Sequence, residues 1–240
     1  ALVAGRDLSR FGAAALAGLD EPVRRYFLHA IDDGAELGTG IRWTMTGRIR
    51  VGPWLPFRAE QDLDGRSIEW RARVGWGRFA PLSVVDSYSF EDGAGSTSGK
   101  LLGRTLFHAG DADTARSAAG RSALENVLVP PCVLPDRGVA WRAESDEEIV
   151  AKFDLPPEQP EVHVRIDAAG AVRSVSAQRW GNAGAEEFGY IPAGGEVHAE
   201  RRFGSFVLPS EFTGSWWFGT PQEAPFFRAT IGAAEVVRSA

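Results

Sequence analysis

The chain has 240 residues, 44% hydrophobic and 24% charged, with a formal net charge of −6 and a pI of about 5.3. An acidic chain without a dense Lys/Arg block does not fit a nucleic-acid binder, and no stretch reaches the roughly 18 consecutive apolar residues of a bilayer-spanning helix. The single cysteine, Cys132, excludes an intrachain disulfide, which points to a reducing, cytoplasmic setting.

From the N-terminus, Ala1 to Asp20 lacks the basic-flanked apolar core of a signal peptide. Leu8 to Leu19 is Ala-rich and reads as a short helix. Asp20 is placed to N-cap a second helix, with Glu21 and Pro22 in its first turn. Val23, Tyr26, Phe27, Ala30 and Ile31 recur at helical spacing and make one apolar stripe. The two helices are expected within residues 1–33.

The period then drops to two. Ile41, Trp43, Met45 and Ile49 alternate with polar residues, and Ile68, Trp70, Ala72, Val74 and Trp76 repeat the pattern. Phe57 to Leu63 lies between them as a strand, with Asp64-Gly65 as a hairpin turn. Leu82 to Phe90 continues the meander, Glu91-Asp92-Gly93 turns it, and Leu101 to Ala109 adds a strand. A helix over residues 112–128 interrupts, acidic at its positive end and stopped by Pro130 and Pro131. Strands resume at Val139–Ala143, Glu148–Phe153, Glu161–Ile166, Ala171–Arg179 and Glu196–Phe203, with two more near the C-terminus. No linker divides residues 1–240. The fold expected is mainly β (α+β): a curved antiparallel sheet forming a half-barrel, with the N-terminal helices and the central helix on or across its concave face.

Eight tryptophans are many for this length. Trp43, Trp70, Trp76, Trp141, Trp180 and Trp216 are the candidates for lining a ligand cavity, because an indole offers a large, stiff apolar surface and one N–H. The competing reading is that they fill a solid core. Among charged residues, Glu60, Asp86 and Glu125 sit on or beside apolar phases, where a carboxylate can work as an acid or base. Asp86 and Tyr88 share a strand face, and Asp86, Tyr88 and Glu125 are the candidate catalytic groups. The four histidines have no ligand-like spacing, so no metal is expected. There is no GxSxG elbow, P-loop or dinucleotide fingerprint, so no cofactor is expected.

Several segments carry a resemblance: Pro22 to Phe27, Arg121 to Glu125, Val129 to Pro135, Val139-Ala140-Trp141, Phe188 to Pro192 and Phe227 to Ile231. Together the chain resembles a bacterial family of uncharacterised function. Members often carry Trp or Phe before the proline that follows the helix, where this chain has Val129. The resemblance implies the half-barrel of periplasmic lipoprotein carriers and of a violacein-pathway enzyme that works without a cofactor. The expected function is binding of an apolar or aromatic small molecule in a Trp-lined cavity, with or without turnover; an enzyme here would be a cofactor-independent cyclase, isomerase or lyase of secondary metabolism. The alternative is a non-catalytic carrier of a lipid or hydrophobic metabolite. A monomer or homodimer is expected, with a small-molecule ligand and no nucleic-acid partner.

Overall fold

The computed structural model describes residues 10–76, 80–184 and 186–238. Thirteen antiparallel strands form one sheet: β1 (Gly40–Arg50), β2 (Trp54–Leu63), β3 (Ile68–Val74), β4 (Leu82–Ser89), β5 (Ala94–Leu101), β6 (Arg104–Ala109), β7 (Ala140–Ala143), β8 (Glu148–Lys152), β9 (Glu161–Ile166), β10 (Val172–Gly181), β11 (Gly189–Phe203), β12 (Phe206–Trp216) and β13 (Ala224–Val237). The spatial order is β6-β5-β4-β3-β2-β1-β13-β12-β11-β10-β9-β8-β7. The chain enters at the middle of the sheet, walks out to one edge, crosses, and walks back from the other edge to pair β13 with β1.

The crossing element is helix α2 (Ala112–Asn126). It packs on both β5 and β10, which lie eight strands apart in the sheet order. In a flat sheet that separation would be about 38 Å at the usual ~4.8 Å spacing. One helix can touch both only because the sheet curls around it. The edges β6 and β7 do not pair, so the result is an open half-barrel. The close approach needs small residues. A Cβ on Gly95 would lie 2.6 Å from the Ala118 Cβ, and one on Gly120 would lie 2.9 Å from the Arg179 Cγ.

Helix α1 (Glu21–Ala30) buries Val23, Tyr26, Phe27 and Ala30, the stripe expected from the spacing. It closes one end of the half-barrel, here called the closed end. Ile31 bridges to Phe206, the Tyr26 hydroxyl donates to the Val127 carbonyl, and Arg25 donates to the Asp146 carbonyl. The segment after α2 plugs the same end, with the Cys132 carbonyl against Gly65 in the β2–β3 turn.

Three local expectations need correction. Asp20 precedes α1 but does not cap it; its carboxylate accepts from the Ala143 N–H at 2.8 Å instead, tying the helix start to β7. Within Leu8–Leu19, a 3-10 turn at Ala13–Leu16 replaces a helix, while Leu8 and Ser9 fall outside the described residues. The region around Leu101–Ala109 is a hairpin, with β5 beginning at Ala94 inside a glycine-rich run. Its glycines are in strand because α2 lies on Gly95 and the Phe107 ring lies on Gly99.

Candidate functional site

Between α2 and the strands a hollow of about 290 Å³ remains. Its wall is mostly apolar: Ile49, Trp70, Val84, Leu124, Phe212 and Phe227 are representative. The aromatic part is a packed run. Behind the wall, Phe57 stacks on Phe227 at 5.0 Å between ring centroids and meets Trp70 edge-on at 5.5 Å; in the wall itself Trp216 stacks on Phe226 at 5.7 Å. Gly214 leaves room among these rings. A Cβ there would touch only Phe227 and Phe226, at 3.5 Å or more. Val51 and Phe107, 52% and 41% exposed, form part of the wall and bring the hollow to solvent.

The polar part of the wall comes from α2 and the strands facing it. Arg121 and Glu125 stand one helical turn apart, so both face the same way. Arg121 Nε donates to Glu125 at 2.7 Å and its Nη1 donates to Asp86 on β4. The other Glu125 oxygen accepts from the buried Gln61 amide on β2. Burial works against the charge on Arg121, but Glu125 and Asp86 outweigh it and raise the guanidinium pKa. Arg121 thus takes up two of the three carboxylates of the wall, Asp86 and Glu125; the third, Glu196, is exposed.

Arg179 on β10 is different. Its Nε and Nη2 donate to the Ser117 carbonyl and hydroxyl at 3.0 and 3.2 Å, and its guanidinium lies 4.6 Å from the Trp216 ring centre. Among the described residues no carboxylate comes within ion-pair distance of it; the wall carboxylates Asp86 and Glu125 both bridge to Arg121. Burial and then the positive charge of Arg121 pull its pKa down to about 10, partly offset by Asp86 and Glu125.

The structure separates the predicted residues. Asp86 and Glu125 come together across Arg121, as members of an ion-paired cluster. Tyr88 lies on the same strand face as Asp86 but points into the core; it is 1% exposed and donates to the Pro156 carbonyl at 2.6 Å. Burial, with a contribution from Asp154, pushes the phenol up to about 12. The Asp86–Tyr88 pair is therefore not formed. Of the six tryptophans, Trp70 and Trp216 line the hollow. Trp43 is fully buried near Phe212. Trp141 packs on Tyr26 and Phe27 at the closed end and donates to the Val133 carbonyl at 2.9 Å. Trp180 donates to Asp113 at 2.7 Å under the Arg116 guanidinium. Trp76 is 62% exposed, just past the end of β3. The Trp-lined cavity is corrected to one walled by two tryptophans and several phenylalanines. Strand phase fixes the face of a side chain but not its height along the barrel.

Sequence reasoning missed Arg179, Phe212, Phe226, Phe227 and Gly214. The i, i+4 spacing of Arg121 and Glu125 was the one readable signal for the cluster. Elsewhere, Glu144, Glu148 and His163 bring three potential ligand atoms within 4.8 Å of one another. None of them lines the hollow, and His163 Nδ1 is bonded to Glu148 at 2.9 Å.

These features belong to a half-barrel with an apolar cavity under its crossing helix. The chain belongs to DUF6920, a family of unknown function whose pattern matches residues 17–235. No curated protein matches it. Similar solved structures include a domain from Vibrio parahaemolyticus described as an outer membrane lipoprotein-sorting protein domain, at 10% identity and TM-score 0.49, covering 90% of each chain. A LolA superfamily protein from Nitrosomonas europaea has 7% identity and TM-score 0.46, with 91% of this chain and 93% of that one covered. A DUF1329 family protein from Desulfovibrio piger has 8% identity and TM-score 0.42, with 83% and 86% covered. The cytoplasmic expectation does not stand. That expectation rested on the lone Cys132, and a chain with one cysteine lacks an intrachain disulfide in either compartment.

Proposed function

We propose that the protein is a non-catalytic carrier of a single-chain amphiphile with an anionic head group. The observation that carries this reading is Arg179: a desolvated cation in the wall of an apolar hollow, with its hydrogen bonds going to Ser117 and both neighbouring wall carboxylates engaged by Arg121. A cation in such a place is stabilised by an anion brought in with the ligand. A guanidinium has five N–H donors, and a carboxylate or phosphate can accept two of them in parallel. The hollow of about 290 Å³ sits at the low end of the ~300–1,000 Å³ usual for small-molecule sites, which suits one chain rather than two. The carrier reading is favoured over an enzyme because Asp86 and Glu125 are tied to Arg121, and Tyr88 is bonded to a backbone carbonyl away from the hollow.

Isothermal titration with decanoate, decyl phosphate and decanol tests this. Decanoate or decyl phosphate should bind at least about tenfold tighter than decanol. Arg179→Met keeps an apolar stem against Trp216 and should bring the anionic ligand to the affinity of decanol. Equal affinities in the unaltered protein would remove the anionic head group from the reading. No binding of any of the three would remove the carrier itself.

A further inference from the structure

The margin of the sheet that carries the β1–β2, β3–β4 and β5–β6 turns has an unusual surface. Val51, Trp76, Leu101, Leu102, Leu106 and Phe107 are all 41% exposed or more, and they account for six of the nine exposed large hydrophobic residues among those described. The turns are stitched together: the Leu102 N–H donates to the Pro81 carbonyl at 3.0 Å, and the Gly75 N–H donates to the Pro56 carbonyl at 2.9 Å. Apolar residues gathered this way mark an interaction site.

Along these three hairpins the charge is one-sided. Segments 47–59, 70–85 and 97–110 contain eight Lys or Arg and no Asp or Glu, in a chain whose net charge is −6. Arg48, Arg50, Arg73, Lys100 and Arg104 are exposed, and none is within ion-pair distance of a described carboxylate. Long basic side chains lay their stems along apolar surface while the charged heads reach outward.

Leu102 adds an independent sign. It is 79% exposed and holds φ of +49°, followed by Gly103 at +83°. Two successive positive φ values make the hairpin turn that favours Asn-Gly. A leucine here is strained where asparagine would not be, and it presents its side chain to solvent.

We infer that this margin docks on an anionic lipid membrane, with the hairpin tips entering the interface and the basic residues meeting acidic head groups. A membrane fits better than a protein groove because the apolar groups lie on three neighbouring hairpins that also carry these cations. Val51 and Phe107 also belong to the wall of the hollow, so the docked face adjoins its opening. The inference stands whether or not the hollow carries an amphiphile.

Co-sedimentation with vesicles tests it. The protein should pellet with phosphatidylcholine vesicles containing phosphatidylglycerol, less so as salt is raised, and little with phosphatidylcholine alone. Leu102→Asn should raise the thermal midpoint slightly and lower vesicle binding. Adding Leu106→Ser should lower it further, and Lys100→Glu with Arg104→Glu should abolish it. Leu28→Ser, at an exposed leucine on α1, should leave binding unchanged. Failure to pellet with the phosphatidylglycerol vesicles overturns the inference and makes a protein the partner of these tips. Equal binding by the tip variants and the unaltered protein overturns it as well.

Discussion

At the closed end of the half-barrel Tyr26, Phe27 and Leu134 have no measurable exposure, whereas at the opposite margin Trp76, Leu102 and Leu106 are more than half exposed. Both regions are built from apolar residues in regular periods. What separates them is a cover. At the closed end α1 and the segment after α2 supply Tyr26, Phe27, Val129 and Cys132 to fill the curl of the sheet. At the other margin nothing among the described residues lies over the turns. In between, α2 bridges β5 and β10 and leaves the hollow beneath it. Three tryptophans sample this gradient: Trp43 on β1 is in the core, Trp70 on β3 is in the cavity wall, and Trp76, just past the end of β3, is exposed.

The sharpest way to break the comparison is to truncate one large side chain at each end. Phe27→Ala should cost about 3–5 kcal/mol, because the ring is fully buried against Tyr26 and Trp141 and leaves a cavity. Trp76→Ala should change stability by no more than about 0.5 kcal/mol. Urea unfolding measures both. Comparable losses would mean that Trp76 is packed in solution and the open margin is not open.

The middle of the molecule offers the next test. Gly214→Val places two methyl groups among Phe212, Phe226 and Phe227, where a Cβ meets nothing nearer than 3.5 Å. β12 is a strand, and valine suits it. Affinity for decanoate should fall at least about tenfold, with the thermal midpoint unchanged or raised as the hollow fills. An unaltered affinity would move the ligand elsewhere.

These contrasts also mark what could be read from sequence. The strands of the meander, the α1 stripe and the crossing helix followed from period and punctuation, because each is a local property. Asp86 and Glu125 were found as carboxylates on or beside apolar phases, but their joint partner Arg121 decides what they do, and the Arg121–Asp86 contact spans the distance from α2 to β4. Arg179 carries no local signal. Its significance depends on which carboxylates are already taken. The basic margin was invisible for a similar reason. Its cations alternate with apolar residues along three hairpins, so no linear block forms and the chain average stays acidic. Only the topology brings them to one side. Tyr88 shows the limit of strand phase: it shares a face with Asp86, yet lies beyond the hollow, beside the loop that holds Pro156.

Tyr88 gives a modest effect and the most direct check on its role. Its neutral form is favoured in the folded protein, with the pKa pushed to about 12 by burial and Asp154, against about 10 for an unfolded tyrosine. A raised folded pKa gives a contribution that is fully present below pH ~10 and lost as pH climbs toward ~12. Tyr88→Phe removes the hydrogen bond to Pro156, so it should cost about 1 kcal/mol at neutral pH, and should flatten part of the alkaline fall in stability. The phenolate absorbance difference between the unaltered protein and Tyr88→Phe should titrate well above pH ~10. A difference that titrates near neutral pH would restore Tyr88 as a proton-transfer group, because its hydroxyl would then be reachable by solvent and free of Pro156.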